Sequence, residues 1–190
     1  MIPRKAIVGG TFDPVHLGHL HLIHSIYKAT SIPHISLVPA FINNFKQDRT
    51  QSASSRHRLA MVRLAIEAYK GIYPEDVGLH LDVDTQELER KGVSYTIDTV
   101  EQIRTRDAYT PSERLGFIMG DDLLNGLSRW HRYPDLSRQV LFLICRRLPV
   151  KPDTPLPEGV KALFIDNPVY EDSSTLCGGE CIFDFGTGPR

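Results

Sequence analysis

The sequence contains few cysteines, a single tryptophan and almost no net charge. Its 190 residues include three cysteines, and the formal net charge is -1. An odd number of cysteines, two of them close to the end of the chain, does not indicate a disulfide framework and favours a reducing, cytoplasmic location. A near-neutral charge offers no broad basic surface for a nucleic acid, so we expect no nucleic-acid partner.

Long apolar runs are also absent from the sequence. No run approaches the roughly 20 residues that a membrane-spanning helix needs, and the first residues lack the apolar core of a secretory signal peptide, so we expect no membrane partner. A length of 190 residues suits one large domain. We therefore predict a single domain over residues 1–190, with an atypical, glycine-rich tail at about 176–190. The sequence does not decide the oligomeric state, and a homo-oligomer stays among the alternatives.

What the chain does contain is an alternation of two apolar periodicities. Short β-rich runs predict buried strands at Ala6–Val8, Ile35–Val38, Leu79–Val83, Leu115–Met119, Val140–Cys145 and Ala162–Ile165. Between them, helical spacing predicts apolar faces formed by Leu17, Leu20, Ile23 and Tyr27, by Leu59, Val62, Ile66 and Tyr69, and by Ile97, Val100 and Ile103. This alternation predicts an α/β, Rossmann-like, doubly wound fold, with a mostly parallel sheet of about five or six strands and helices on both faces.

The segment GGTFDPVHLGHL, which starts at Gly9, directly follows the first predicted strand. Gly9 and Gly10 allow a tight turn and a close approach of a ligand to the backbone. The spacing matches neither the GxGxxG dinucleotide pattern nor a P-loop. A helix is expected to begin near Leu17 or Gly18, and its free N–H groups and positive dipole end would favour an anion.

His16 and His19 lie three positions apart at this predicted helix start. Residues with this spacing can point the same way, and two imidazoles can donate hydrogen bonds to phosphate oxygens. They could stabilise the charge that builds up at phosphorus during a transfer reaction. Together with Gly9, Gly10 and Gly18 they predict a phosphate site, in preference to a simple helix cap.

Two further histidines, His21 and His24, lie deeper in the same predicted helix. We interpret them as partly exposed or packing residues. A metal site formed by all four histidines is not expected, because helix geometry distributes these positions around more than one face. The sequence analysis therefore assigns no metal ligand.

The same segment resembles the signature of the nucleotidyltransferase superfamily, whose core pattern HxGH corresponds to His16–His19. Three further segments narrow the resemblance: RKGVSYTIDTVEQI from Arg90, GFIMGDDLLNGLSRWHRYPDL from Gly116 and VLFLICRR from Val140. Together they resemble bacterial nicotinate-nucleotide adenylyltransferases over residues 5–147, and again weakly near residue 174. The resemblance implies transfer of the adenylyl group of ATP, with Mg²⁺ on the triphosphate, to nicotinate mononucleotide. The products are nicotinate adenine dinucleotide and pyrophosphate, a step of NAD biosynthesis.

The resemblance also implies roles for individual residues. The two histidines of the HxGH pattern are expected to be catalytic. Residues expected to hold ATP or its phosphates are Gly9, Gly10, Thr11, Phe12, Gly18, Lys46, Gly120, Asp122, Ser174 and Thr175, and those expected to hold nicotinate mononucleotide are Tyr95, Thr96 and Trp130. Alternatives stay open for several of them. Phe12 could be a packing residue, Lys46 a solvated surface residue and Trp130 a core residue.

Three flanking residues have expected roles that are structural or undecided. Asp13 is expected to fix the turn after the first strand. Arg58 is expected to contact either the polar loop that carries Lys46, at Phe41–Ser55, or a ligand. As an alternative to binding nicotinate mononucleotide, Thr96 is interpreted as the N-cap of a helix that carries Asp98 in its first turn. A helix start would also offer N–H donors to the pyridine carboxylate.

The sequence departs from the family pattern near its end. The family motif I-S-S-T-x-I-R corresponds to DSSTLCG at residues 172–178, so Gly178 replaces an arginine that binds ATP phosphates. Loss of such a contact can cost several kcal/mol, so we expect weak ATP binding unless Arg146, Arg147 or Arg190 substitutes. Two alternatives therefore remain: an adenylyltransferase for nicotinamide mononucleotide or phosphopantetheine, and a nucleotide-binding protein with impaired catalysis.

Two smaller departures lie within the binding segments. The family usually places two prolines and a histidine before the lysine that corresponds to Lys46, whereas this chain has Asn43, Asn44 and Phe45. Asp121 stands where the family usually has a small residue, and it adds negative charge beside Asp122. The lysine is retained, but its local sequence is not.

Overall fold

Six strands form one parallel sheet in the computed structural model, which describes residues 2–41, 53–146 and 156–168. The strands are β1 (Ala6–Gly10), β2 (His34–Pro39), β3 (His80–Val83), β4 (Leu115–Gly120), β5 (Val140–Cys145) and β6 (Ala162–Ile165). Their order is β3-β2-β1-β4-β5-β6, and every neighbouring pair is parallel. The doubly wound sheet predicted from the sequence is thereby confirmed.

Helices connect the strands, since a parallel neighbour can be reached only by a crossover. They are α1 (Leu17–Thr30), α2 (Ser55–Ile72), α3 (Gln86–Arg90), α4 (Thr96–Arg106) and α5 (Tyr133–Gln139), and a 3₁₀ segment, Asp121–Arg129, follows β4. Within the described ranges, none of these helices has both the length and the apolar character needed to cross a membrane.

The core consists of two apolar layers, one on each face of the sheet. Side chains alternate between the faces along a strand, so Val8 of β1 packs with Ile23 of α1 and Val62 of α2. Its neighbour Ile7 points to the other face and packs with Val100 of α4. Burying each large aliphatic side chain stabilises the fold by about 1.5–3 kcal/mol. Helices therefore cover both faces, as predicted.

Two details of the predicted helices are wrong. Leu17 was expected on the buried face of α1, but it is 51% exposed, and the buried residues of that helix begin at Leu20. Leu17 is the first helical residue and lies in the first turn, at the edge where the strand β1 ends. The N-cap of α4 is Tyr95, with extended φ of -102° and ψ of 138°, so Thr96 is the first helical residue and not the cap.

Candidate active site

The order of the strands reverses between β1 and β4. The chain passes from β1 to β2 on one side, whereas β4 pairs with β1 on the other side. Val8 is the register partner of Ile118, and continuing this register places Gly10 level with Gly120. The loops after the two strands diverge from this point and leave a crevice, where ligands of such sheets bind. The glycines predicted to approach phosphate thus lie at the same edge, and the exposed Asp122 follows β4 in the 3₁₀ segment.

The side chain of Phe12 fills the space inside the loop that follows β1. Phe12 is 2% exposed and has a φ of 50°, in the left-handed region that non-glycine residues seldom occupy. Its ring lies against Gly10, where an added Cβ would stand 3.2 Å from the ring. Phe12 was predicted to be either a phosphate-binding residue or a packing residue. Its side chain is a packing residue, so only its backbone is available to contact a phosphate. A side chain at position 10 would require this ring to shift by a few tenths of an ångström.

A buried guanidinium holds this loop from behind. Arg58 of α2 is 3% exposed and donates hydrogen bonds to the carbonyl oxygens of Thr11 (2.6 Å), Phe41 (3.2 Å) and Ala53 (3.1 Å). Burial lowers the pKa of Arg58, and the nearby Asp13 carboxylate opposes that shift. Asp13 also accepts a hydrogen bond from the N–H of Ala53 at 3.1 Å, which ties the turn to the segment before α2 as predicted. Arg58 thus contacts the described ends of the polar loop, as one of its two predicted roles had it, and also the loop after β1.

His16 and His19 are held against each other at the start of α1. His16 is the N-cap, with an extended backbone, and the ring centroids lie 3.9 Å apart. The backbone N–H of His16 donates to Nδ1 of His19 at 3.3 Å, and the N–H of His19 donates to the carbonyl of His16 at 2.9 Å. A neutral His19 that accepts at Nδ1 carries its proton on Nε2, where it can donate to a ligand. Both rings are half-buried and do not belong to the apolar core.

The first turn of α1 favours an anion. It contains no acidic residue, so the free N–H groups and the positive end of the helix dipole are not offset by a carboxylate on that turn. Gly18 lies between the two histidines in this turn, half-exposed. This arrangement can donate several hydrogen bonds to one phosphate group.

The two other histidines of α1 pack against the end of α2. His21 Nδ1 lies 3.3 Å from the hydroxyl of Tyr73, and His24 Nδ1 lies 2.9 Å from a carboxylate oxygen of Asp76. Burial and the charge of His24 both lower the pKa of His21. Both rings are half-buried, which confirms the prediction that these two histidines are partly exposed or packing residues.

The predicted nicotinate residues lie around the start of α4 and the end of the 3₁₀ segment. Tyr95 is 40% exposed, and its ring centroid lies 4.2 Å from that of His131. Trp130 is half-buried and contacts Phe117 edge to face, with centroids 5.7 Å apart. Tyr95 and Trp130 are thus brought to one region through His131. Sequence analysis did not single out His131, although the aromatic and cationic run SRWHRY was a signal for it.

Several predicted residues lie outside the described part of the chain. They are Lys46, Ser174 and Thr175, together with the departure at Gly178 and the substitutes Arg147 and Arg190. Arg146 is described: its backbone N–H donates to the side-chain oxygen of Asn167 at 2.8 Å, which links the end of β5 to the segment after β6. The roles predicted for these residues remain predictions.

Comparisons with known proteins agree with this geometry. A family model described as cytidylyltransferase-like matches residues 7–177. The nicotinate-nucleotide adenylyltransferase of Bacillus subtilis is 34% identical over 173 residues, which cover 91% of this chain and 82% of that protein. A protein of Oceanobacillus iheyensis, named "Probable nicotinate-nucleotide adenylyltransferase", is 35% identical over 170 residues, or 90% of this chain and 80% of that one.

A solved structure has the same fold. The nicotinic acid mononucleotide adenylyltransferase of Plasmodium falciparum, complexed with NaAD, superimposes with a TM-score of 0.70 at 21% identity. The match covers 91% of this chain and 81% of that one. The fold, the HxGH pair and the matched span therefore lead to one conclusion: the chain belongs to the cytidylyltransferase-like family.

Proposed function

We propose that this chain transfers the adenylyl group of ATP to nicotinate mononucleotide, releasing nicotinate adenine dinucleotide and pyrophosphate. The observation that carries the proposal is the pair His16 and His19, set against each other at the positive end of α1 beside the crevice where the strand order reverses. The relative from Bacillus subtilis, which carries this activity in its name, supports the choice of acceptor.

The chemistry requires positioning more than proton removal. An oxygen of the acceptor's 5′-phosphate, already anionic at neutral pH, attacks the α-phosphorus of ATP, and the bond to the bridging oxygen of the pyrophosphate breaks. No residue has to activate such a nucleophile. The Nε2–H of His19, the ring of His16 and the N–H groups of α1 would donate to the oxygens on which charge develops.

We assign the ATP phosphates to the edge formed by the loop after β1 and the start of α1. Gly9, Gly10, Gly18 and Thr11 would hold them, with the hydroxyl of Thr11 and backbone groups as donors. Arg58 keeps the Thr11 carbonyl in place from behind. At the end of β4, Gly120 and the following Asp122 would face the nucleoside, where the exposed carboxylate can accept from a ribose hydroxyl or an adenine amine.

A divalent metal accompanies a triphosphate in this type of transfer and neutralises developing charge. Mg²⁺ prefers oxygen ligands, such as those of the triphosphate, and keeps much of its water. We therefore assign Mg²⁺ as the metal and treat it as part of the MgATP substrate, held mainly by the phosphates.

We assign nicotinate mononucleotide to the region between α4 and the 3₁₀ segment. The N-terminus of α4, at Tyr95 and Thr96, presents N–H groups that favour a pyridine carboxylate over a neutral amide. The exposed part of Trp130 would stack on the pyridine ring.

We place the reaction in the cytoplasm. The odd number of cysteines, three in the whole chain, fits a reducing compartment.

The direct test is a panel of acceptors incubated with MgATP. Nicotinate mononucleotide, nicotinamide mononucleotide and phosphopantetheine are compared by pyrophosphate release and by chromatography of the adenylylated product. We expect nicotinate mononucleotide to give the highest kcat/KM. A higher value for either other acceptor would contradict the proposed substrate.

The departure at Gly178 favours one further candidate, a nucleotide-binding protein with impaired catalysis. Binding of ATP without pyrophosphate release from any acceptor would support it. The variant Gly178→Arg separates the causes: a lower KM for ATP in the variant would identify the absent arginine as the deficiency. An unchanged KM would indicate that another cation already fills that role.

A further inference from the structure

A second pair of histidines lies on the sheet itself, at the amino ends of two neighbouring strands. His34 is the register partner of His80, and Ser36 is the register partner of Asp82. Residues two apart on a strand share a face, and register partners on parallel strands lie side by side. The pairing of β2 with β3 therefore places these four side chains on one face of the sheet. They lie at the edge of the sheet, because β3 is its outermost strand.

Three of these side chains direct their polar atoms to one point. Nε2 of His34 lies 3.0 Å from Oδ2 of Asp82, and Nε2 of His80 lies 3.8 Å from the same oxygen. The two imidazole rings meet edge to face, with centroids 4.6 Å apart. All three atoms lie within 4.8 Å of one another. Ser36 Oγ is also close, 3.3 Å from Nε2 of His34.

These separations match the coordination sphere of a small ion. Zn²⁺ binds imidazole nitrogen and carboxylate oxygen at about 2.0–2.2 Å in a tetrahedral arrangement, so neighbouring ligand atoms stand roughly 3.3–3.6 Å apart. The two observed separations, 3.0 and 3.8 Å, lie on either side of that range. We propose that His34, His80 and Asp82 form a zinc site, with the fourth position open to water. Two imidazoles and one carboxylate are a donor set that zinc accepts.

The chemistry of the donor set suits a divalent cation. Asp82 contributes one carboxylate oxygen, and imidazole coordinates a metal in its neutral form. The ring of His80 is 68% exposed, so an ion can reach the site from solvent.

The cations near the site are already paired with carboxylates. His34 and Asp82 line a cleft together with Arg4, Lys5, Asp84, Glu89, Arg106 and Asp107. The ammonium of Lys5 lies 3.3 Å from Asp107, and Arg106 lies 2.9 Å from Asp84 and 2.8 Å from Asp107. Arg4 lies 3.3 Å from Glu113. These ion pairs reduce the repulsion that a bound cation would meet.

A second cluster of potential metal ligands in the described residues has a geometry that suits zinc less well. In that cluster, Nδ1 of His24 lies 2.9 Å from Asp76, whereas Nε2 lies 3.8 Å from Glu75. The ligand atoms of this cluster also lie within 4.8 Å of one another, but it has only one imidazole, and its two carboxylates make their nearest contacts with opposite nitrogens of that ring. The His34 cluster also lies apart from the candidate active site, because His34 and His80 are the first residues of their strands and the HxGH pair follows the carboxyl end of β1.

The test is zinc binding to the full, metal-free chain, measured by competition with a chromophoric chelator. Zinc could also bind His16 and His19, so every variant is made on a background in which both are alanine. We expect one Zn²⁺ per chain on this background, and an affinity at least about tenfold lower in His80→Ala and in Asp82→Asn. Co²⁺ in place of Zn²⁺ should give visible absorption bands that both variants weaken.

Two matched controls define what counts as a specific loss. His57→Ala removes an exposed histidine on α2, and His24→Asn removes the histidine of the second cluster. Both should bind zinc with unchanged affinity. Circular dichroism checks that each variant is folded, which the exposure of His80 favours. An affinity unaffected by His80→Ala and Asp82→Asn, or no zinc binding to the background chain, would overturn the proposal.

Discussion

The molecule has two close pairs of histidines with different surroundings. In the first, His16 and His19 have ring centroids 3.9 Å apart at the start of α1, in a turn without an acidic residue. In the second, the centroids of His34 and His80 are 4.6 Å apart, and both rings approach the carboxylate of Asp82. An imidazole can donate to an anion or coordinate a cation. The neighbours of each pair, a helix start or a carboxylate, therefore decide which ligand it suits.

The largest expected effect tests the first pair. His16→Ala and His19→Ala should each lower kcat for adenylyl transfer by about 10²–10³, because each removes a donor to the developing charge. Steady-state assays of nicotinate adenine dinucleotide formation measure the effect. The double variant should lose less than the product of the two single losses, since the rings act together. Wild-type turnover in both single variants would contradict the catalytic role that distinguishes the first pair from the second.

The next effect concerns what holds the first pair's loop. Arg58→Met should lower the free energy of unfolding by about 3 kcal/mol, since it removes three hydrogen bonds and leaves the carbonyls of Thr11 and Phe41 without this donor. Urea denaturation measures the change. Arg56→Met, an exposed neighbour on α2, is the control and should be nearly neutral. Equal losses in the two variants would contradict the role of Arg58.

A smaller effect tests the carboxylate of the second pair. The pKa of Asp82 is lowered from 3.8 to about 2 in the folded chain, so its stabilising contribution is present above pH 3.8 and is lost as the pH falls toward 2. Its side chain is 39% exposed, so we discount the shift for solvent screening and expect Asp82→Asn to cost about 1 kcal/mol at neutral pH. Unfolding of the metal-free chain between pH 2 and 7 measures this. A variant curve parallel to the wild-type curve would contradict it.

The smallest effect comes from giving the first pair a carboxylate of its own. Leu17 is exposed and lies between His16 and Gly18, so Leu17→Glu adds a negative charge to the first turn of α1 without disturbing the core. The added charge should raise KM for ATP a few-fold, corresponding to about 1 kcal/mol, while slightly stabilising the helix. Leu17→Gln is the neutral control. An equal KM in both variants would show that charge in this turn does not affect phosphate binding.

The sequence predicted the strands and the first pair because both are local patterns. The six apolar runs became the six strands, and His16 and His19 are three residues apart in one recognisable segment. Packing details were harder to predict from the sequence: Leu17 is exposed, and the sequence offered a packing role for Phe12 as an alternative but could not choose it. The second pair depends on the register of β2 with β3, which no short stretch of sequence specifies. The single-domain prediction, with its atypical tail, stays a prediction, because residues 169–190 lie outside the described part.

The packing of Phe12 over Gly10 has a thermodynamic consequence. Its ring is buried in the free chain, and Arg58 fixes the carbonyl of the preceding residue, Thr11. This loop has therefore lost its conformational entropy during folding and need not lose it again when a nucleotide arrives. On this side of the crevice, affinity should depend on the ligand's own loss of motion and hydration, much as it does in a rigid host.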